Sequence, residues 1–294
     1  MTVQLTLGGH AKDLGGGFLV RRFLPSAQRQ AVGPFLFFDH FGPVRVLPGA
    51  SHDVRPHPHI GLATVTYLFE GAIMHRDSVG SVRRIAPGAI NWMTAGRGIV
   101  HSERAPEDLK ETTYLNHGIQ LWAALPREHE EASPDFSHTP EADIPSLQVG
   151  QANVRVLIGQ AFGRASPVRT FSQTVYLDVQ LAAGAVFELP PLAAELALYA
   201  IDGDIEVDGE VIPSQTLAVL TPGAPAAILA RAPVRLMVLG GEALDGKRFI
   251  WWNFVSSRKE RIAQASEDWD RQAMGQVEGD PEFIVQPERR FIAG

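Results

Sequence analysis

From the N-terminus to about residue 255 the chain sustains no helical period; its apolar residues fall in short runs cut by turn dipeptides. Residues 63–69, 154–158, 175–179, 196–201 and 234–239 are rich in β-branched, aromatic and aliphatic side chains. Glu70-Gly71, Pro87-Gly88, Asp202-Gly203 and Pro222-Gly223 lie between or beside such runs and read as turns. Many short strands at near-regular spacing predict an all-β chain built as a sandwich or barrel. At 294 residues it accommodates one large domain or two of ordinary size.

The last segment differs. Ser257-Arg-Lys-Glu260 has the form of a capping box, with serine at the N-cap and glutamate three positions on, and predicts a polar helix running to about Met274. Gly279-Asp-Pro281 then breaks the chain into an extended tail.

A faint internal echo accompanies the strand pattern. YLFEG at 67–71 and MTAG at 93–96 are matched by YAIDG at 199–203 and LTPG at 220–223, with Gly-to-Gly spans of 25 and 20 residues. The echo predicts two related barrels with a boundary near residue 140, that is 1–139 and 140–294.

Against this background the histidines are unevenly placed: all ten precede residue 139. Four potential ligands form two short pairs, His57-Pro-His59 and His101-Ser-Glu103. Side chains two apart on a strand share a face, so two adjacent strands carrying these pairs direct three imidazoles and one carboxylate at one point. That donor set suits a divalent first-row transition metal and poorly suits calcium or magnesium. Pro56 and Pro58 place the first pair on an edge strand or rim, and Gly96 and Gly98 permit a sharp turn into the second. Offsetting by the echo sets Leu189 and Pro191 opposite the first pair, and Ile228 and Ala230 opposite the second. The second barrel would then have no ligands.

Other signals are weaker. Gly15-Gly16-Gly17 lacks the lysine of a P-loop and the spacing of a dinucleotide fingerprint, and reads as a turn. Phe35, Phe37, Phe38 and Phe41 read as core. His10, His129 and His138 read as solvated, whereas His40, His52, His75 and His117 are open between pocket and structural roles. A net charge of −7 without basic runs excludes the footprint of a nucleic-acid binder. The absence of cysteine excludes thiolate ligands and disulfides. Neither a signal peptide nor an apolar run of membrane-spanning length is evident, so a cytoplasmic protein without membrane partners is expected.

In order, FFDHF at 37–41, HPHIG at 57–61, VTYLFEG at 65–71, NWMTAGRGIVHSE at 91–103 and GIQLW at 118–122 resemble the pirin family of the cupin superfamily. The resemblance is strong from about 15 to 130 and looser beyond; FIWWNFV at 249–255 is similar to a bacterial subgroup with its own C-terminal helix. It implies two cupin jelly-roll domains, the first binding one metal through His57, His59, His101 and Glu103. Iron(II) is the first expectation, with nickel, cobalt, copper, manganese and zinc as alternatives. Ala63 stands where many cupins carry a further glutamate, which leaves the carboxylate to Glu103. The resemblance also implies a quercetin 2,3-dioxygenase-type activity on a flavonol and O2, with Glu103 as ligand and proton acceptor. The alternative is a non-catalytic metal-dependent protein that binds a transcription regulator or metabolic enzyme.

Overall fold

A computed structural model describes residues 1–14, 18–50 and 52–288. The expected turn at Gly15-Gly16-Gly17 lies outside them. Among the described residues there is one α-helix, α1 (Lys259–Asp270), and the rest of the regular structure is β apart from three single-turn 3-10 helices. That helix is too short to cross a membrane.

The chain divides into two compact units, which are not the two contiguous stretches expected. One comprises residues 1–10, 21–38 and 139–244; the other comprises 11–20, 39–138 and 245–294. The predicted boundary near 140 coincides with one of the crossings. Residues 1–10 depart from expectation because Val3–Gly8 pairs antiparallel with Thr216–Leu220, and the C-terminal segment because α1 packs on Ile60 and Val100.

Each unit contains a four-stranded sheet. In the unit carrying the histidine pairs the strands are β1 (Val54–His59), β2 (Ile73–Asp77), β3 (Val82–Ile85) and β4 (Ile99–Arg104), in the order β1-β4-β2-β3. In the other they are β5 (Val186–Leu189), β6 (Ile205–Val207), β7 (Glu210–Ile212) and β8 (Ala226–Ala230), in the order β5-β8-β6-β7. The same order of first, fourth, second and third strands demonstrates the duplication that the sequence only hinted at. Its two seven-stranded sheets agree: Ile90–Thr94, Leu62–Glu70, Tyr114–Ala124 and Phe35–Val46 are consecutive in one, as Thr216–Leu220, Glu195–Ala200, Val234–Gly241 and Thr174–Leu181 are in the other.

Register now replaces the sequence offset. His101 pairs with His57 and Ile99 with His59; in the other unit Ile228 pairs with Phe187 and Ala226 with Leu189. The counterparts of His57 and His59 are therefore Phe187 and Leu189, not Leu189 and Pro191. The offset failed by two residues because the connections between strands differ in length. Ile228 and Ala230 stand as expected. Phe187, Leu189, Ile228 and Ala230 all belong to a buried apolar core.

β1 is an edge strand, as its two prolines require, since proline cannot donate to a ladder on both sides. Behind β1 and β4, α1 buries Ile262, Ala265, Ser266 and Trp269 at helical spacing; Ile262, Ala265 and Trp269 pack with Ile60, Val100 and Phe254, while the Ser266 hydroxyl donates to Gln286 Oε1 at 2.6 Å. The expected capping box does not form. The N-cap is Arg258 with no side-chain cap, because the Ser257 hydroxyl donates to Glu130 Oε2 at 3.0 Å instead; the helix also ends at Asp270, short of Met274. Phe35, Phe37, Phe38 and Phe41 are all buried, as core residues should be.

Candidate metal centre

His57 and His59 alternate with Pro56 and Pro58 on β1, so both imidazoles emerge on the same face of the edge strand. Beside them, β4 carries His101 directly opposite His57, with Glu103 two residues on. The donor atoms of His57, His59 and His101 lie within 4.8 Å of one another, and all three side chains are buried. Ring centroids are separated by 4.3 Å for His57 and His101, and by 5.0 Å for the other two pairs. Glu103 shares their face but is not a member of that close group.

Two glycines make the approach possible. Gly61, at φ +68°, follows the strand that carries His57 and His59, and a Cβ there would lie 2.0 Å from the carbonyl oxygen of Val255. Gly96, at φ +51°, turns the chain toward β4, and a Cβ there would lie 1.9 Å from the carbonyl oxygen of Ala132. Only glycine fits either position.

Second partners fix two of the rings. His57 donates its Nδ1–H to the carbonyl oxygen of Arg55 at 2.9 Å, and His59 donates its Nδ1–H to that of Asn253 at 3.1 Å. A carbonyl only accepts, so both rings are held with Nε2 bearing a lone pair. Neither nitrogen of His101 has a hydrogen-bond partner among the described residues. Three buried imidazoles, two with committed tautomers and one with both nitrogens unused, fit a divalent transition metal.

Electrostatics point the same way. Burial pushes the His57 imidazole down to about 4, and drives His59 and His101 well below the usual histidine range, with their mutual proximity adding to it. At neutral pH the three are uncharged, the form that ligates. Burial raises the Glu103 carboxyl to about 7. No hydrogen bond holds that carboxylate among the described residues.

Of the histidines left open, His75 belongs beside the centre. It lies on β2, which flanks β4 on the side away from β1, and its ring centroid is 5.3 Å from that of His101. His75 Nε2 lies 2.8 Å from Asp77 Oδ2, another pair two residues apart on a strand. The sequence carried this signal at the same spacing as the two pairs singled out, but as His-x-Asp. His40 and His117 are 2.9 Å apart through their Nε2 atoms, and His52 stacks on Phe18. His10 is exposed, as expected, and His129 is half-buried; His138 instead bonds Asn91 Oδ1 at 2.7 Å. The carbonyl of Asn253 was invisible to sequence reasoning, because a backbone atom leaves no residue-type signature.

Comparisons with known proteins agree with this architecture. The Pirin family model matches residues 17–123, and a model for the Pirin C-terminal cupin domain matches 176–275. A Pirin-like protein from Caulobacter vibrioides is 46% identical over 97% of this chain and 100% of its own length. A Pseudomonas aeruginosa protein provisionally named a quercetin 2,3-dioxygenase is 38% identical over 93% of this chain and 83% of its own. The crystal structure of a quercetin 2,3-dioxygenase from Acinetobacter baumannii superposes with a TM-score of 0.88 at 33% identity, covering 98% of this chain and 97% of that one.

Proposed function

Because this chain belongs to the pirin family, with two cupin domains and a C-terminal helix, we propose that it is a metal-dependent dioxygenase acting on quercetin-type flavonols with O2. The observation that carries this reading is the convergence of His57, His59 and His101, buried and neutral, in a chain similar to proteins named as quercetin 2,3-dioxygenases. Glu103 is proposed as the fourth ligand, since it shares the face of His101 and adds the charge that three neutral imidazoles lack. Iron(II) is the metal proposed, with nickel, cobalt, copper, manganese and zinc as the alternatives to load. Held by these residues, such an ion would supply Lewis-acid chemistry, polarising the flavonol hydroxyl.

The chain's own residues have separable tasks. His57 and His59 are held by carbonyls and supply fixed donors. Glu103, with a carboxyl raised to about 7 by burial, matches the proton of a phenolic hydroxyl better than an ordinary glutamate does. Accepting that proton requires Glu103 to swing from the ligand position, and the lack of a hydrogen bond to its carboxylate supports that freedom.

The test is anaerobic loading with iron(II), then separately with each alternative, followed by oxygen uptake on adding quercetin. His101→Ala is the blank. Metal-dependent uptake that vanishes in the variant supports the reading. Loaded protein that consumes no oxygen with any metal sinks it for quercetin and shifts weight to the regulatory alternative.

A further inference from the structure

The inner face of the small sheet carries three pairs two residues apart: His57 and His59 on β1, His101 and Glu103 on β4, His75 and Asp77 on β2. Register aligns them, with Asp77 opposite His101 and His75 opposite Glu103. In the duplicated unit Val207 pairs with Ile228 and Ile205 with Ala230, so Ile205 and Val207 occupy the places of His75 and Asp77. Those two are 2% and 1% exposed, as buried as His75 and Asp77, which are each 2% exposed. The fold is thus satisfied by aliphatic side chains here. An imidazole and a carboxylate at the same places cost desolvation and are explained by the site, not by the barrel.

Their arrangement is rigid. Asp77 Oδ1 accepts from the backbone N–H groups of Val79 at 3.0 Å and Ser81 at 2.9 Å, while Oδ2 accepts from His75 Nε2 at 2.8 Å. Both carboxylate oxygens are committed, which argues against Asp77 as a ligand and for Asp77 as the anchor of His75. The His75 ring also stacks on Phe136, with centroids 4.2 Å apart and planes at 18°. Held at its edge and on its face, it lies against His101, the one imidazole of the three that no hydrogen bond orients.

We propose that His75, locked by Asp77, is a positioning residue of the metal centre that sets the orientation of His101 and Glu103. It does by packing what the carbonyls of Arg55 and Asn253 do for His57 and His59. The inference rests on the reading that His57, His59 and His101 hold a metal.

The experiment uses the full chain loaded with cobalt(II), reading the visible d–d absorption and the affinity against a competing chelator. The variants are Asp77→Asn, which is isosteric, and His75→Phe, which keeps the stack on Phe136. The expected result is cobalt still bound, a shifted d–d spectrum, and affinity lowered about 10- to 100-fold, the range for residues that orient ligands. Wild-type spectrum and affinity in a folded variant of either kind would overturn the proposal. Failure of the wild-type protein to bind cobalt, with His101→Ala indistinguishable from it, would instead remove the underlying metal-site reading. Should His75→Phe not fold, Asp77→Asn alone decides, since it alters one atom of the anchor.

Discussion

His59 donates its Nδ1–H to the backbone carbonyl of Asn253 across 194 residues of sequence. The C-terminal hairpin formed by Phe249–Trp251 and Phe254–Ser256 therefore reaches back to orient a candidate ligand. Its approach is held by Val255, whose N–H donates to the carbonyl of Ile60 at 3.2 Å, and it is made possible by Gly61. Gly61→Ala places a methyl against the Val255 carbonyl at a φ that alanine disfavours. We expect a loss of about 2 kcal/mol or more in urea unfolding. Metal affinity in the folded fraction should also drop roughly 10-fold or more, because His59 loses its orienting partner. Equal affinity by chelator competition would show that the Asn253 carbonyl is dispensable.

The duplication supplies a second prediction. Four substitutions, His57→Phe, His59→Leu, His101→Ile and Glu103→Ala, copy the residues at the corresponding positions of the other unit. The resulting protein should bind no metal and should be more stable than metal-free wild type, by about 1–4 kcal/mol, because three buried imidazoles give way to apolar side chains of comparable size and the Glu103 carboxyl is removed. Thermal melting of both proteins after chelation checks this. A lower melting temperature in the apolar variant would mean that the polar cluster stabilises the barrel even without metal.

Glu103 gives a pH dependence whose sign is fixed. Its carboxyl is raised from 4.5 to about 7 in the folded metal-free protein, so the folded state holds the proton more tightly than the unfolded one. The stability it contributes is full below pH 4.5 and is lost as pH rises from 4.5 through 7. The three depressed histidines act oppositely, costing stability as pH falls below 6.5, so total stability mixes the two trends. The difference between Glu103→Gln and wild type isolates the carboxyl. In metal-free protein the variant should gain on wild type progressively from pH 4.5 to 7, by at most about 3 kcal/mol, then level off. Urea unfolding across that range measures it, and a difference independent of pH would place the carboxylate in solvent.

How far the sequence reveals this molecule depends on which atoms carry the signal. The convergence of His57, His59 and His101 was legible because alternation on a strand turns a spacing of two into a shared face, whatever the rest of the fold does; Glu103, expected with them, stands outside that close group. His75 and Asp77 obey the same rule, yet proximity to β4 follows from strand order, which no local pattern encodes. The counterparts of His57 and His59 were misplaced by two because hairpin lengths drift between copies while register does not. Ser257 was misread for a tertiary reason: Glu130 competes for its hydroxyl and wins. The compact units interleave along the chain because edge strands and the C-terminal segment find partners far away in sequence.

That competition leads to a final prediction. The Arg248 guanidinium is fully buried, with Nε 2.9 Å from Glu130 Oε1 and its Nη2 donating to the Leu125 carbonyl at 2.8 Å. Glu130 also accepts from the hydroxyls of Ser256 and Ser257 and the N–H of Ser257, so one carboxylate ties the end of the hairpin and the start of α1 to the core of its unit. Removing either ion leaves its partner charged and buried. Glu130→Gln keeps the shape and some of the hydrogen bonds but leaves the Arg248 guanidinium only its ion pair with the half-exposed Asp245, and should cost up to about 3–5 kcal/mol in urea unfolding. Arg248→Met paired with Glu130→Gln should recover much of that loss, because the one charge then left without its partner, Asp245, is half-exposed and solvated. A double variant as unstable as the sum of the two single ones would show that the hydrogen bonds to the serines, not the charge pair, secure the segment that carries Asn253 to His59.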